Sequence, residues 1–297
     1  MIHSYMNSIG FSKIDCLNDL NDVIKEIIED PDNVSKIDYN NTTYSEYHKN
    51  FTDSTGIAVL GYYKDEIENF ENFVLETYFP YVESSDNAIL EATDITIERF
   101  ADKYSYLAMF DSSIMNMILI FFISNLRMLG KVGFVSKISL PKCDINVSAL
   151  AFEGIVLLPI IKDQRSEEKK AYNDKKAVLI ERAKKGDEEA IETLTLEDFE
   201  TQQMLYTRTQ SEDVLSIVDT YFMPEGLEND KYSIMGDIVS VKKEKNCITE
   251  EEIYLLDIFS NDVYLSVSIN KKNLMGEPLV NRRFRGRVWL QGIIKLP

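Results

Sequence analysis

Near its C-terminus the chain carries Arg282-Arg283-Phe284-Arg285-Gly286-Arg287-Val288-Trp289. On a strand, successive side chains point to opposite faces, so Arg283, Arg285 and Arg287 project together while Phe284, Val288 and Leu290 fall opposite. A guanidinium fork meets an oxyanion with two parallel hydrogen bonds, so this stripe suits a phosphate, a nucleic-acid backbone or an acidic partner. These three arginines are the candidate anion-binding residues. The chain also holds 50 Asp and Glu against 32 Lys and Arg, a net charge of −18. Its own carboxylates, such as those of residues 187–200, are therefore the favoured partners of the stripe, and anion recognition is the rival reading.

Other chemistry is sparse. His3 and His48 are the only histidines, which argues against a histidine general base or a multi-histidine metal site. His48 reads as a partly exposed residue closing a short aromatic helix. No glycine-rich phosphate loop, nucleophile elbow, zinc-protease or EF-hand pattern occurs. Lys142 could lower the thiol pKa of Cys143, but no histidine partner stands near it in any motif. Glu250-Glu251-Glu252 could act as paired carboxylates, although a charge run at a hairpin tip is usually just solvated. The expectation is no catalytic residue, no metal and no cofactor.

The elements that would position these residues follow from pattern. Leu17, Leu20, Ile24, Ile27 and Ile28 share a helical face after Asp15, which is placed to cap the helix before Pro31. Thr43-Tyr44-Ser45-Glu46 reads as a capping box opening a second, short helix. Six β-rich runs follow: 57–63, 73–79, 89–100, 104–110, 115–126 and 147–160. With no helix between them they predict a largely antiparallel sheet. The apolar run 114–123 is too short to span a membrane and reads as a buried strand.

Residues 163–185 then read as a helix stopped by Gly186, and Asp187 caps the next, with Thr195 and Asp198 as a further cap. Residues 162–186 hold 9 Lys and Arg, whereas 187–200 hold 7 Asp and Glu and no base. Runs at 234–241, 253–259, 263–269 and 284–294 resemble a small β-barrel or a five-stranded oligonucleotide/oligosaccharide-binding barrel. No internal repeat is visible. The predicted organisation is an α+β protein: an N-terminal antiparallel sheet with helices (1–161), a helical hairpin (162–210) and a C-terminal β-barrel-like module (211–297).

Several longer stretches resemble one family. They are His3 to Phe11 with Ile9-Gly10-Phe11; Gly186 to Asp198; Asp230-Lys231-Tyr232-Ser233 before Gly236; and Gly276-Glu277-Pro278 followed by Arg282-Arg283-Phe284-Arg285-Gly286 and Trp289-Leu290-Gln291-Gly292. Together they resemble the bacterial domain-of-unknown-function 3881 family over the full length. Asn281 stands where Gly is expected, and Asn also tolerates positive φ, so the turn is kept. The resemblance implies a bacterial cytosolic protein and carries over no activity, cofactor or catalytic residue.

No secretory signal opens the chain. Three scattered cysteines match neither a disulfide framework nor a Cys-x-x-Cys ligand pair, which suits a reducing cytoplasm. The functional expectation is a non-enzymatic binding or adaptor protein with another protein as partner. The acid excess disfavours nucleic acid, and no membrane partner is expected. The first alternative is single-stranded nucleic-acid or anion binding by the C-terminal module. A weaker one is an enzyme using carboxylates alone in a pocket of the N-terminal sheet.

Overall fold

Sequence periodicity places the first long helix correctly. The computed structural model describes residues 3–14, 16–39, 41–65, 67–99, 105–124, 137–159, 176, 178–197, 218–226 and 230–295. In it α1 spans Leu17–Glu29 and buries Leu20, Val23, Ile24, Ile27 and Ile28. Its cap is Cys16, whose sulfur accepts the Asp19 N–H; Asp15 lies outside the described residues.

The expected second helix is a strand. β1 (Asn33–Tyr39), β2 (Thr42–Asn50), β3 (Thr55–Tyr63) and β4 (Phe73–Val82) form a four-stranded antiparallel sheet. Thr43 does not cap a helix; its hydroxyl donates to Asp38 across the β1–β2 hairpin at 2.7 Å. Asn41, at φ 62°, makes the turn. Ladder bonds from β1 and β3 on both sides of β2 outweigh one local capping motif.

The other expected strands are present. β5 (Ile89–Arg99), β6 (Tyr106–Ser112), β7 (Met117–Ile123) and β8 (Lys137–Leu157) come from the first half of the chain. β9 (Tyr221–Pro224), β10 (Lys231–Lys245), β11 (Glu252–Ser260), β12 (Val263–Asn270), the short β13 (Leu274–Met275) and β14 (Arg283–Lys295) come from the second. All ten belong to one sheet. The division at 211 therefore does not separate two sheets. β8 and β14 pair antiparallel along all 13 residues of β14.

The pairing hides a repeat that the residues do not display. β5-β6-β7 is an antiparallel meander followed by the long β8, and β10-β11-β12 is a second meander followed by β14. β8 pairs antiparallel with β5 and parallel with β12. In the same way β14 pairs antiparallel with β10 and parallel with β7. Each long strand thus joins the first strand of its own meander to the last strand of the other. Two closed pairing circuits, β5–β6–β7–β14–β8 and β10–β11–β12–β8–β14, share the central pair. A strand pattern of period two is satisfied by many sequences, so the likeness survives in pairing alone. The pairings among the first-half strands are all antiparallel, as expected, and the parallel pairs arise only where strands of the two halves meet.

Buried polar groups tie the N-terminal segment and the small sheet to these circuits. Ser8 donates to the Ala151 carbonyl, and Ser268 and Asn270 donate to the carbonyls of Ser8 and Asn7. Glu244 of β10 accepts from the Thr52 and Ser54 hydroxyls and the Ser54 N–H. Gln291 of β14 donates to the Pro80 carbonyl at 2.8 Å. Asn281 has φ 69°, so the turn expected there is kept.

Residues 159–219 form a separate compact unit. Within it, helix is described at 178–184 and 188–197. Gly186 takes a positive φ of 84° between them, and Asp187 caps the second by accepting the Ala190 N–H. Arg182 pairs with Asp187 and Glu189, joining the basic and acidic stretches. Thr195 is not a cap: it lies inside the helix and donates back to the Ile191 carbonyl. Asp198 and the rest of the expected hairpin lie outside the described residues, apart from Lys176.

Candidate binding site

Strand alternation on β14 sends Arg285 and Arg287 to an exposed face and Phe284, Gly286 and Val288 to the buried one. Arg283 is buried. Its Nε donates to the Leu158 carbonyl at 3.1 Å, and Met235 Sδ lies 3.9 Å from its guanidinium. Arg285 donates to the Tyr221 hydroxyl. Arg287 meets both oxygens of Glu225, at 2.5 and 3.0 Å, with Glu153 at 3.8 Å. That fork holds the Glu225 carboxyl below its ordinary range. Trp289 follows on the strand, is 5% exposed and donates to Asp230 at 2.6 Å. The rings of His3, Tyr5 and Phe122 surround it. Arg285 and Arg287 thus line one cleft of about 580 Å³ together with Lys272, Glu153 and Glu225, whereas Arg283 is buried and is not among the residues that line it.

The other singled-out residues are structural. Lys142 pairs with Glu91, and the buried Cys143 thiol is pushed up to about 11 by burial and by Asp144. The Glu250–Glu252 run is not merely solvated. Glu251 is buried and accepts from the Ser12 hydroxyl and N–H, Asn270 and Lys272. Glu252 lies between Lys243 and Lys271, whose hydrogen bonds take its carboxyl down to about 2.

A second group of residues converges on the small sheet. Glu46, His48 and Asn50 share one face of β2, and Tyr81 of β4 reaches over to them. Asp32 and Asn33 stand opposite, where Asn33 pairs with His48, and Glu83 follows β4. Ser124 after β7, Asn146 of β8 and Ile293 of β14 close the other side of a cleft of about 450 Å³. This is ordinary for a small-molecule site. Gly56 makes the wall possible. A Cβ there would stand 2.5 Å from the Tyr81 hydroxyl oxygen and 2.3 Å from the Lys49 carbonyl oxygen.

Hydrogen bonding in the cleft is lopsided. Glu46 Oε1 is bonded to His48 Nε2, and the Glu46 side chain is completely buried. Its other oxygen, Oε2, has no partner, and neither has Asn146 Oδ1. Asn50 spends its N–H groups on the rim carboxylates, from the backbone to Asp32 at 2.7 Å and from Nδ2 to Glu83 at 3.2 Å. The Tyr81 hydroxyl donates to Asn50 Oδ1. Burial, then Glu83 and Asp32, push that phenol well above its ordinary value. A buried carboxylate oxygen without a donor costs ~1–3 kcal/mol or more, so it is a position where a bound group gains. Among the described residues no three His, Cys, Asp or Glu side chains are grouped as metal ligands.

Sequence reasoning set His48 on a helix and used Glu46 only as the end of a capping box. The signal for both was the alternation Tyr44, Glu46, His48, Asn50, which fits a strand as well as Thr43-x-x-Glu46 fits a helix start.

A family model described as "Domain of unknown function, E. rectale Gene description (DUF3881)" matches residues 6–292. No curated protein and no solved structure matches. The matched span takes in every residue of the cleft except Ile293, together with the arginine stripe and both meanders. The chain belongs to the DUF3881 family.

Proposed function

We propose that the chain is a non-enzymatic binding protein that holds a small polar ligand in the cleft of Glu46, His48 and Tyr81. The observation carrying this reading is the pair of buried, unpartnered oxygens, Glu46 Oε2 and Asn146 Oδ1, at one cleft. Elsewhere the buried carboxylates Glu244 and Glu251 are fully engaged by neighbours within the fold. Three free cysteines support a reducing compartment.

A carboxylate-using enzyme is the second reading, favoured by the desolvated Glu46 beside His48. It ranks lower because Asp32 and Glu83, the other acids, are both held at the rim by Asn50. Nucleic-acid binding through a barrel-like C-terminal module draws support from the closed circuit β10–β11–β12–β8–β14. Against it, Arg287 is neutralised within the chain and Trp289 is too buried to stack on a base.

A ligand-observed NMR screen of small polar molecules tests the proposal, with Ser84→Trp as the blocking variant. Ser84 sits at the cleft and makes no hydrogen bond that the substitution would break. Hits are expected on the parent chain and lost in Ser84→Trp at unchanged melting temperature. Hits indifferent to Ser84→Trp would place binding elsewhere and refute the proposal. A hit consumed with product formation would support the enzyme instead.

A further inference from the structure

The geometry points to an organic cation carrying N–H donors, a primary ammonium or a guanidinium, as the ligand of this cleft; the inference rests on the binding reading above and adds the ligand's chemistry. Donors and acceptors in the cleft do not balance. The Asn50 N–H groups and the Tyr81 hydroxyl donate within the wall, and the bonded His48 nitrogen is committed to Glu46. The buried atoms left without a partner at the cleft are both acceptors, Glu46 Oε2 and Asn146 Oδ1. A molecule that complements this set must bring the protons.

Charge agrees with hydrogen bonding. Asp32, Glu46 and Glu83 line the cleft, and among the described residues no Lys or Arg does. An anion would meet three carboxylates, while a cation would replace the missing donor to the buried one. The Tyr81 and His48 rings, 5.3 Å apart and tilted by 52°, add an aromatic wall of the kind that attracts ammonium and guanidinium groups. The net charge of −18 raises the local concentration of any cation. An organic group suits the site better than a metal ion. The side chains are not grouped as ligands among the described residues, and the space greatly exceeds one ion.

The same chemistry could arrive on a free small amine or on a Lys or Arg side chain of a partner. Ligand-observed NMR titration of the full chain separates the cases. The probes are n-butylammonium and n-butylguanidinium, with n-butyltrimethylammonium, butyramide and butyrate as controls. Binding of the first two is expected, with mutual competition and loss in Ser84→Trp. The quaternary ion, equal in charge but without N–H groups, should bind at least about tenfold more weakly. Glu46→Gln should weaken the ammonium by a similar factor. The comparison of primary with quaternary ion needs no variant and stands if Glu46→Gln fails to fold.

Backbone-capped lysine and arginine amides give the second arm. Binding equal to the butyl probes assigns the site to a partner's side chain, whereas their exclusion assigns it to a free amine. Equal binding of primary and quaternary ions would overturn the donor argument. Butyramide or butyrate bound at the Ser84→Trp-sensitive site, with the cations excluded, would overturn the cation inference and leave the binding reading standing. No Ser84→Trp-sensitive binding by any probe would sink both.

Discussion

Glu251→Ala should loosen the N-terminal segment, and the size of the effect can be worked from its contacts. The carboxylate is buried and accepts four hydrogen bonds: from the Ser12 hydroxyl at 2.5 Å, the Ser12 N–H at 3.3 Å, Asn270 Nδ2 at 2.8 Å and Lys272 Nζ at 2.5 Å. Ser12 and Lys272 are open to water and recover hydration when the acceptor is lost. Asn270 Nδ2 is buried but keeps the Asn7 carbonyl. Each bond then counts at roughly its net value of 0.5–1.5 kcal/mol, and the sum over four is about 2–6 kcal/mol. In a folding unit of this size that lowers the melting temperature by about 4–24 °C.

Glu250→Ala is the control. It removes a neighbouring acid with one exposed partner, Lys245 at 3.4 Å, and should move the midpoint by no more than about 2 °C. Calorimetry gives the midpoints, and hydrogen exchange at residues 3–12 should accelerate in Glu251→Ala alone. The pH dependence follows. Burial would raise the Glu251 carboxyl, but bonds from Lys272, Ser12 and Asn270 hold it below its ordinary range. Its contribution is therefore complete above the unfolded-state value of about 4.3 and is lost as pH falls through the lower folded value. Glu251→Gln should flatten this acid limb. Equal midpoints for Glu250→Ala and Glu251→Ala would refute the reasoning.

Arg283→Gln should destabilise by about 1.5–3 kcal/mol, because the buried guanidinium's charge-assisted bond to the Leu158 carbonyl is lost. Arg287→Gln, acting on an exposed pair, should shift the melting temperature by only about 1–3 °C; the reverse order in calorimetry would contradict the placement of the stripe. Two of the three thiols, Cys16 and Cys247, should react quickly with a disulfide reagent at neutral pH, while Cys143 reacts only on unfolding. A native count of three fast thiols would show that β8 does not bury Cys143. Gly56→Ala should cost about 1–3 kcal/mol and break the bond between Tyr81 and Asn50, since the new methyl overlaps the phenol. An unchanged melting temperature would mean that the Tyr81 ring does not lie where the cleft requires it.

The sequence by itself determined the local elements. The 3.6-residue spacing of Leu20, Ile24, Ile27 and Ile28 specified α1, and β-branched and aromatic runs located most strands from β3 to β14. Asn281 and Gly186 marked turns because few residues accept positive φ. It also disclosed the family, since whole motifs rather than single residues carry that likeness. Tertiary structure decided what periodicity leaves open. Thr43-Tyr44-Ser45-Glu46 satisfies both a helix start and a strand, and only the flanking β1 and β3 resolve it. A strand's period of two records which face is apolar but not which strand lies alongside, so the exchange of β8 and β14 between meanders was invisible. For the same reason Glu251 and Glu46 could not be told from surface acids. Burial depends on neighbours a hundred residues or more away along the chain, and the Ser12 that meets Glu251 and the Asn146 that shares the cleft with Glu46 come together only in the folded protein.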